Sequence, residues 1–422
     1  MVSPLSSFQH PEKEASHLLP MASNSSPSVS TEANRSSAEL GPGELGSMNQ
    51  QISLYAKTLR ISVIGSLNYD RIWIVPRLPR PSETLMIGEY RQTPGGKGAI
   101  QAIACARLSH AKPGGTAPFL LRSNSNKGPG GRRSSSQDLK PFSIKVIMIG
   151  VVGEDLQGAR IMDTRAANRV DIEHILRCRE ETTGTASIAL DKNGENNVLV
   201  HPGANYRLSS DRIHVDLPEG SPHLLILQME IPVQTVEDLV KKAAEKRIPV
   251  LLNAAPVVDD FALDILWSVE HLIVNKLEAE ALVERRQIAS NMSRQRPEQD
   301  ENREAEVGRG KELCKSLLEF GMKYVVVTMG GHGGVVGSRG PDGKAHIFDY
   351  EAVEVQNVVD TTGCGGVFVG AYAVQYIRQK FSPGGGFDIA RAVTWASKAA
   401  AMKARSFGSL EGVPWEDELD AA

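Results

Sequence analysis

The 422-residue chain is short of several things, and each shortage excludes a class. No apolar run approaches 18 residues, which removes a membrane-spanning helix. Lysine and arginine (47) nearly balance aspartate and glutamate (50), so there is no basic excess to recruit nucleic acid or an anionic membrane surface. The four cysteines, Cys105, Cys178, Cys314 and Cys364, lie far apart with no C-x-x-C pair. They read as reduced thiols of a reducing compartment, cytoplasmic or also nuclear, and neither as a disulfide frame nor as a zinc site. No G-x-G-x-x-G follows the first apolar strand, which argues against a dinucleotide-binding dehydrogenase.

The first 57 residues lack periodic apolar positions and hold twelve serines in the first fifty. Such a segment buries too little to offset ordering entropy and is expected to be a disordered tail. It has no apolar targeting core, and Glu12, Glu14, Glu32, Glu39 and Glu44 argue against a mitochondrial presequence. A Gly/Pro/Ser-rich stretch at 109–141 reads as a solvated insertion, with Arg132-Arg133 as a conceivable localisation tract. Residues 286–310 are highly charged and read as an exposed loop or frayed helix, and 416–422 as a short tail.

What is present is an alternation of apolar strands and helices. Strands are expected at 60–65, 144–151, 223–229, 248–253, 271–274 and 323–328, with helices at 98–108, 155–168, 234–246, 276–284 and from 367. This order implies an α/β fold: a doubly wound, mostly parallel sheet flanked by helices. Alternating residues at 72–92, including Leu85, Met86 and Ile87, suggest a small β-element. Runs at 184–190 and 196–201 around Asp191-Lys192-Asn193-Gly194 suggest a hairpin.

The polar residues worth attention sit where these strands end. Asn68 and Asp70 follow the first strand at i, i+2, pointing the same way if extended, and together suit a polyol; a solvated turn is the alternative. Gly95-Gly96-Lys97-Gly98 opens a helix but is not a Walker A loop, since no Ser or Thr follows the lysine. Asn275-Lys276-Leu277-Glu278 is a weak pattern that equally fits a helix cap. Thr328-Met329-Gly330-Gly331-His332-Gly333 allows backbone to lie against a nucleotide or is merely a tight turn. Asp360-Thr361-Thr362-Gly363-Cys364-Gly365-Gly366 is a strand, small-residue turn and helix start, the arrangement that aims backbone N–H groups at an anion.

Taken in chain order from about 60 to 415, these motifs resemble the ribokinase/PfkB family of sugar kinases. The matching segments are GSLNYD, GGKGAIQA, the GEN and HPGAN segments, QMEIP, NKLEAE, TMGGHG and DTTG. The resemblance implies a ribokinase-like fold with a small β-sheet lid (about 70–92 and 184–205), through which a homodimer forms in some relatives. It implies transfer of the ATP γ-phosphoryl group to a sugar hydroxyl, O5 of D-ribose in the ribokinase branch. By the same resemblance Asn68, Asp70, Gly96, Lys97 and Glu230 contact the sugar, while Asn275, Thr328, Gly330 and Gly333 lie at ATP. Glu278 helps to hold Mg²⁺, and Asp360, Thr362, Lys403, Ser406, Gly408 and Gly412 form a K⁺ loop. Gly363, Cys364, Gly365 and Gly366 form the anion hole. Two positions depart from the pattern. The family's general-base aspartate is Gly366, and an asparagine that meets the sugar is Ile100. Two readings follow: an ATP-dependent sugar kinase impaired by loss of its base, or an inactive relative that still binds nucleotide or sugar.

Overall fold

A strand that is apolar at every position must be covered on both faces, and Leu224, Leu225, Ile226 and Leu227 are all fully buried. In the computed structural model the described residues are 18–19, 57–80, 82–114, 142–191, 196–213, 215, 220–289, 303–340 and 342–421. Chain order begins β1 (Leu18–Leu19), β2 (Thr58–Ile64), β3 (Asn68–Val75), β4 (Glu89–Gly95), α1 (Lys97–Arg107), β5 (Ser143–Gly153) and α2 (Leu156–Ala167). It goes on through β6 (Val170–Asp171), β7 (Ile175–Cys178), β8 (Thr185–Asp191), β9 (Asn196–His201), β10 (Leu224–Gln228), α3 (Val233–Glu245), β11 (Val250–Asn253) and β12 (His271–Asn275). It ends with α4 (Lys276–Ala289), α5 (Arg303–Leu318), β13 (Tyr324–Thr328), β14 (Gly334–Arg339), β15 (Ala345–Tyr350), α6 (Cys364–Phe381), α7 (Ile389–Lys403) and α8 (Glu416–Ala421).

The large sheet has the order β1-β7-β5-β2-β10-β11-β12-β13-β14-β15, with β6 beside β5. Its strands from β7 to β13 are parallel, and β1, β14 and β15 are antiparallel additions at the ends. Side-chain alternation sends Leu224 and Ile226 to the face covered by α1, α6 and α7. Leu225 and Leu227 go to the opposite face, under α3, α4 and α5. The expected doubly wound sheet with helices on both faces is what forms. A second sheet, β4-β3-β8-β9, stands apart from it, with β8 and β9 paired antiparallel from Thr185↔His201 to Leu190↔Asn196.

Three expectations change. Residues 416–421 are not a loose tail: α8 buries Leu419 completely, and Glu416 pairs with Arg378 at 2.6 Å. Leu85, Met86 and Ile87 lie outside any strand; Leu85 and Ile87 are half-buried and Met86 is 88% exposed. The charged stretch 286–310 is helical at both described ends, in α4 to Ala289 and α5 from Arg303, where Val307 and Gly310 face the core. The 109–141 insertion opens with described residues to 114. Its remainder, the 191–194 hairpin tip beyond Asp191, and the N-terminal segment apart from Leu18–Leu19 and Lys57 lie outside the described residues.

The two helices nearest the sheet's carboxyl end, α1 and α6, cross closely through small residues. A Cβ on Gly370 would stand 2.5 Å from the Ala104 Cβ and 3.0 Å from the Cys105 nitrogen. Gly370→Val should therefore lower stability by roughly 1–3 kcal/mol through overpacking. A urea titration checks this, and an unchanged midpoint would show that the crossing has slack.

Candidate active site

Adjacent parallel strands deliver polar groups to one edge. Asn68 and Glu230 follow β2 and β10, and Asn253, Asn275 and Thr328 are the last residues of β11, β12 and β13. The bend after β2 is fixed by Asn205, whose Oδ1 accepts the Leu67 N–H at 2.8 Å and whose Nδ2 donates to Asn68 Oδ1 at 2.8 Å. Asn68 and Asp70 then occupy the same side of β3, both buried. Gly96 presses against this bend with φ +91°, and a Cβ there would sit 2.7 Å from the Asn68 nitrogen. Only glycine combines that backbone conformation with that approach. One oxygen of Glu230 ties the pieces together, accepting from Ser66 Oγ at 2.6 Å and from the Lys97 N–H at 3.1 Å. A carboxylate at the positive start of α1 is favourable in itself.

Asp70 is the most perturbed carboxyl of the site. Its Oδ2 accepts from Ser409 Oγ at 2.9 Å, while its buried Oδ1 has no hydrogen-bond partner among the described residues. Burial pushes its pKa up to about 7; the Ser409 hydrogen bond pulls it back, Glu230 raises it further, and Arg165 and Lys97 lower it. Arg165 is itself fully buried, with Nη2 donating to the Gly95 carbonyl at 3.2 Å and Nε and Nη1 without partners. An unpaired buried carboxylate oxygen costs folding energy and is retained where a ligand satisfies it.

Asn275 and Glu278 bond reciprocally. Asn275 Oδ1 accepts the Glu278 N–H and Glu278 Oε2 accepts the Asn275 N–H, each at 2.8 Å. This is a capping box at the start of α4, so the helix-cap alternative for N-x-x-E is real. Both residues nonetheless line the cavity described below. Burial raises the Glu278 pKa, against the opposing effects of the Asn275 N–H and Lys97. Its other carboxylate oxygen takes no protein hydrogen bond among the described residues.

The turn before α6 is anchored by Asp360, which accepts the Thr362 N–H through Oδ1 and the Gly408 N–H through Oδ2, both at 2.8 Å. With both oxygens engaged and the residue buried, Asp360 does not face the cavity and is no substitute base. Gly363 takes φ +85° with its Cβ position 2.4 Å from the Ser409 carbonyl, then α6 begins. The Cys364 N–H turns back to the Thr361 carbonyl at 3.1 Å, and Gly365 and Gly366 follow in the first turn of α6, where N–H groups have no intrahelical acceptor. A Cβ on Gly366 would lie 2.6 Å from Ile100 Cγ2 and 3.1 Å from Ile100 Cβ. The two departures seen in the sequence are therefore in contact. The Lys403 ammonium, which the resemblance assigned no role beyond the backbone of its loop, points inward and donates to the carbonyls of Asp360 (3.5 Å) and Ser406 (3.1 Å). A potassium ion does not fit among these groups beside the ammonium.

A cavity of about 550 Å³ unites most of the expected residues. Asn68, Asp70, Gly96, Lys97 and Glu230 line one part, Asn275, Glu278 and Thr328 another, and Thr362, Gly363, Gly365 and Gly366 the turn between. Gly330, Gly333, Cys364, Asp360, Lys403, Ser406, Gly408 and Gly412 do not line it. Lys97 is the only lysine or arginine among the described lining residues. Sequence reading passed over Ser409, Ser66, Gln101 and Asn253. Gln101 donates to Asn253 Oδ1 at 3.0 Å and accepts from Gln228 at 2.6 Å, forming a polar floor. Ser66 and Gln101 sat inside motifs already noticed; nothing in the sequence singles out Ser409.

Residues 58–416 match the family described as pfkB family carbohydrate kinase. The chain is 26% identical over 369 residues to a ribokinase of Schizosaccharomyces pombe, covering 86% of this chain and 98% of that protein. Its structure resembles the Thermotoga maritima ribokinase with TM-score 0.64 at 25% identity, covering 86% of this chain and 98% of that one. It also shares the fold of an Arabidopsis thaliana ribokinase complexed with ribose and ATP, with TM-score 0.63 at 21% identity and the same two coverages.

The shifted carboxyl makes stability depend on pH. Between its ordinary 3.8 and about 7, Asp70 stays protonated in the folded chain and ionises in the unfolded one. Stability is thus lost as pH rises through this window, by roughly 4 kcal/mol when complete. Asp70→Asn should be more stable than the native protein at pH 8, with the difference shrinking toward pH 4. Chemical denaturation at several pH values measures it, and a pH-independent difference would contradict a buried, ionisable Asp70.

Proposed function

Because the chain belongs to the pfkB family of carbohydrate kinases, we propose that it is a ribokinase-type protein. On this reading it binds ATP and D-ribose and transfers the γ-phosphoryl group to the O5 hydroxyl, at a rate lowered by the missing base. The observation that carries this reading is the single cavity in which a polyol-type wall of Asn68, Asp70, Lys97 and Glu230 faces Asn275, Glu278 and Thr328 across the 361–366 turn. The ribose and ATP held by the plant ribokinase of the same fold support the choice of ligands.

Asp70, Asn68 and Glu230 accept sugar hydroxyls, the orphaned Asp70 Oδ1 gaining the partner it lacks. Lys97 acts electrostatically on both Asp70 and Glu278, and so spans the acceptor and phosphate sides. The Gly365 and Gly366 N–H groups meet the charge that develops on the transferring phosphoryl. Asn275, Thr328, Gly330 and Gly333 lie along the nucleotide. Glu278, with one carboxylate oxygen unused, suits a Mg²⁺ that keeps most of its waters. Positioning and electrostatics supply much of phosphoryl transfer, so these parts retain function without the base. The lid's outer strand β9 has a free edge with Leu199 75% exposed, and this edge is where two copies pair as a homodimer.

The second reading, a binding protein without turnover, is favoured by one contact: Ile100 occupies the space that a side chain at 366 needs. Restoring the carboxylate alone is therefore not enough. In an ATP- and ribose-dependent ADP-release assay, Gly366→Asp should recover little. Ile100→Asn/Gly366→Asp should exceed the native rate by roughly 10²–10⁴-fold, the usual worth of a general base. Equal rates in all three proteins would refute the assignment of position 366. Zero native turnover with recovery in the double variant would establish the second reading.

A further inference from the structure

Lys403 ends α7 with its whole side chain inside the protein, 0% exposed. Its ammonium meets the carbonyl oxygens of Asp360 and Ser406, and the Cys364 thiol and the Asp360 and Glu411 carboxylates act on it electrostatically. Burial alone works against the charge and lowers its pKa, so a cation is kept here at a cost. Carbonyl oxygens gathered around one positive charge are also the donor set that holds a bare alkali cation. The groups the ammonium joins are consequential ones. On one side Asp360 begins the turn that leads to Gly365 and Gly366. On the other, Ser406 begins a loop whose Gly408 N–H reaches Asp360 and whose Ser409 bonds Asp70 and packs against Gly363.

We propose that the Lys403 ammonium is a built-in monovalent cation. It takes the position between the 360–366 turn and the 406–412 loop that a potassium ion would otherwise fill, and makes the geometry of the turn independent of potassium. Lys403 is on this account a positioning residue. It acts on the cavity through Asp360 and Ser409 and touches no substrate.

The test compares thermal stability and ATP affinity of the full chain in KCl, NaCl and tetramethylammonium chloride at equal ionic strength, the last cation being too large to enter the site. The native protein should give the same midpoint and the same affinity in all three salts. Lys403→Ala, which vacates the space, should become salt-specific, with KCl raising its midpoint and recovering most of an affinity loss of about tenfold, near 1.4 kcal/mol. Lys403→Met, which fills the space without charge, should be weakened and not rescued by KCl. A potassium-specific stabilisation of the native protein would overturn the proposal even if neither variant folds, and so would a Lys403→Ala protein indifferent to potassium. The stability arm does not depend on the proposed function: failure to bind ATP in any salt would sink that reading and leave this one judged by the midpoints.

Discussion

One buried carboxylate, Asp360, ties the turn before α6 to the loop after α7 and so shapes one side of the cavity. Its two oxygens take one N–H from the turn that precedes α6 and one from the loop that follows α7. Its carbonyl meets the Lys403 ammonium, which in turn holds Ser406. The two segments are 48 residues apart in the chain, and this cluster converts them into one rigid corner. From that corner Ser409 reaches Asp70, and Phe407 packs with Ile72, Ala186 and Ile188 of the small sheet. The turn before α6 and the Asp70 carboxyl are thus positioned by the same few hydrogen bonds, and the small sheet by apolar packing of Phe407 from the same loop.

The corner also explains why costly features persist around it. Among the described residues, Asp70 Oδ1, two nitrogens of Arg165 and Gln228 Oε1 are buried without hydrogen-bond partners. A fold selected for stability alone would replace them with apolar groups of similar volume. Of the three residues, Asp70 lines the cavity, on the same lining as Ile100 and Gly366.

Ile100 and Gly366 show what a structure adds to a motif comparison. In sequence they are two separate losses, 266 positions apart. In space Ile100 fills the volume that a side chain at 366 would take. Gly366 sits in the first turn of α6, where the backbone accepts any side chain, so its restriction is purely one of packing against α1. A position that looks free to revert is held by its neighbour.

Local pattern determined a great deal by itself. Fully apolar strands alternating with helices dictate a sheet covered on both faces, and polar residues at consecutive strand ends must gather at one edge when those strands run parallel. That is why Asn68, Asp70, Asn275 and Thr328 were legible, whereas Glu230 was named only through the family resemblance; the helix ends were placed within a few residues for most elements. Tertiary structure decided what depends on contacts between distant segments. The docking of α8 rests on Leu419 and on the Arg378 ion pair, the role of Ser409 on a bond to a residue 339 positions away, and the Ile100–Gly366 contact on the α1–α6 crossing. The inward turn of Lys403 belongs with them. A lysine at the end of a helix reads as a solvated charge favourable to the helix dipole, and only the surrounding carbonyls make it a buried cation.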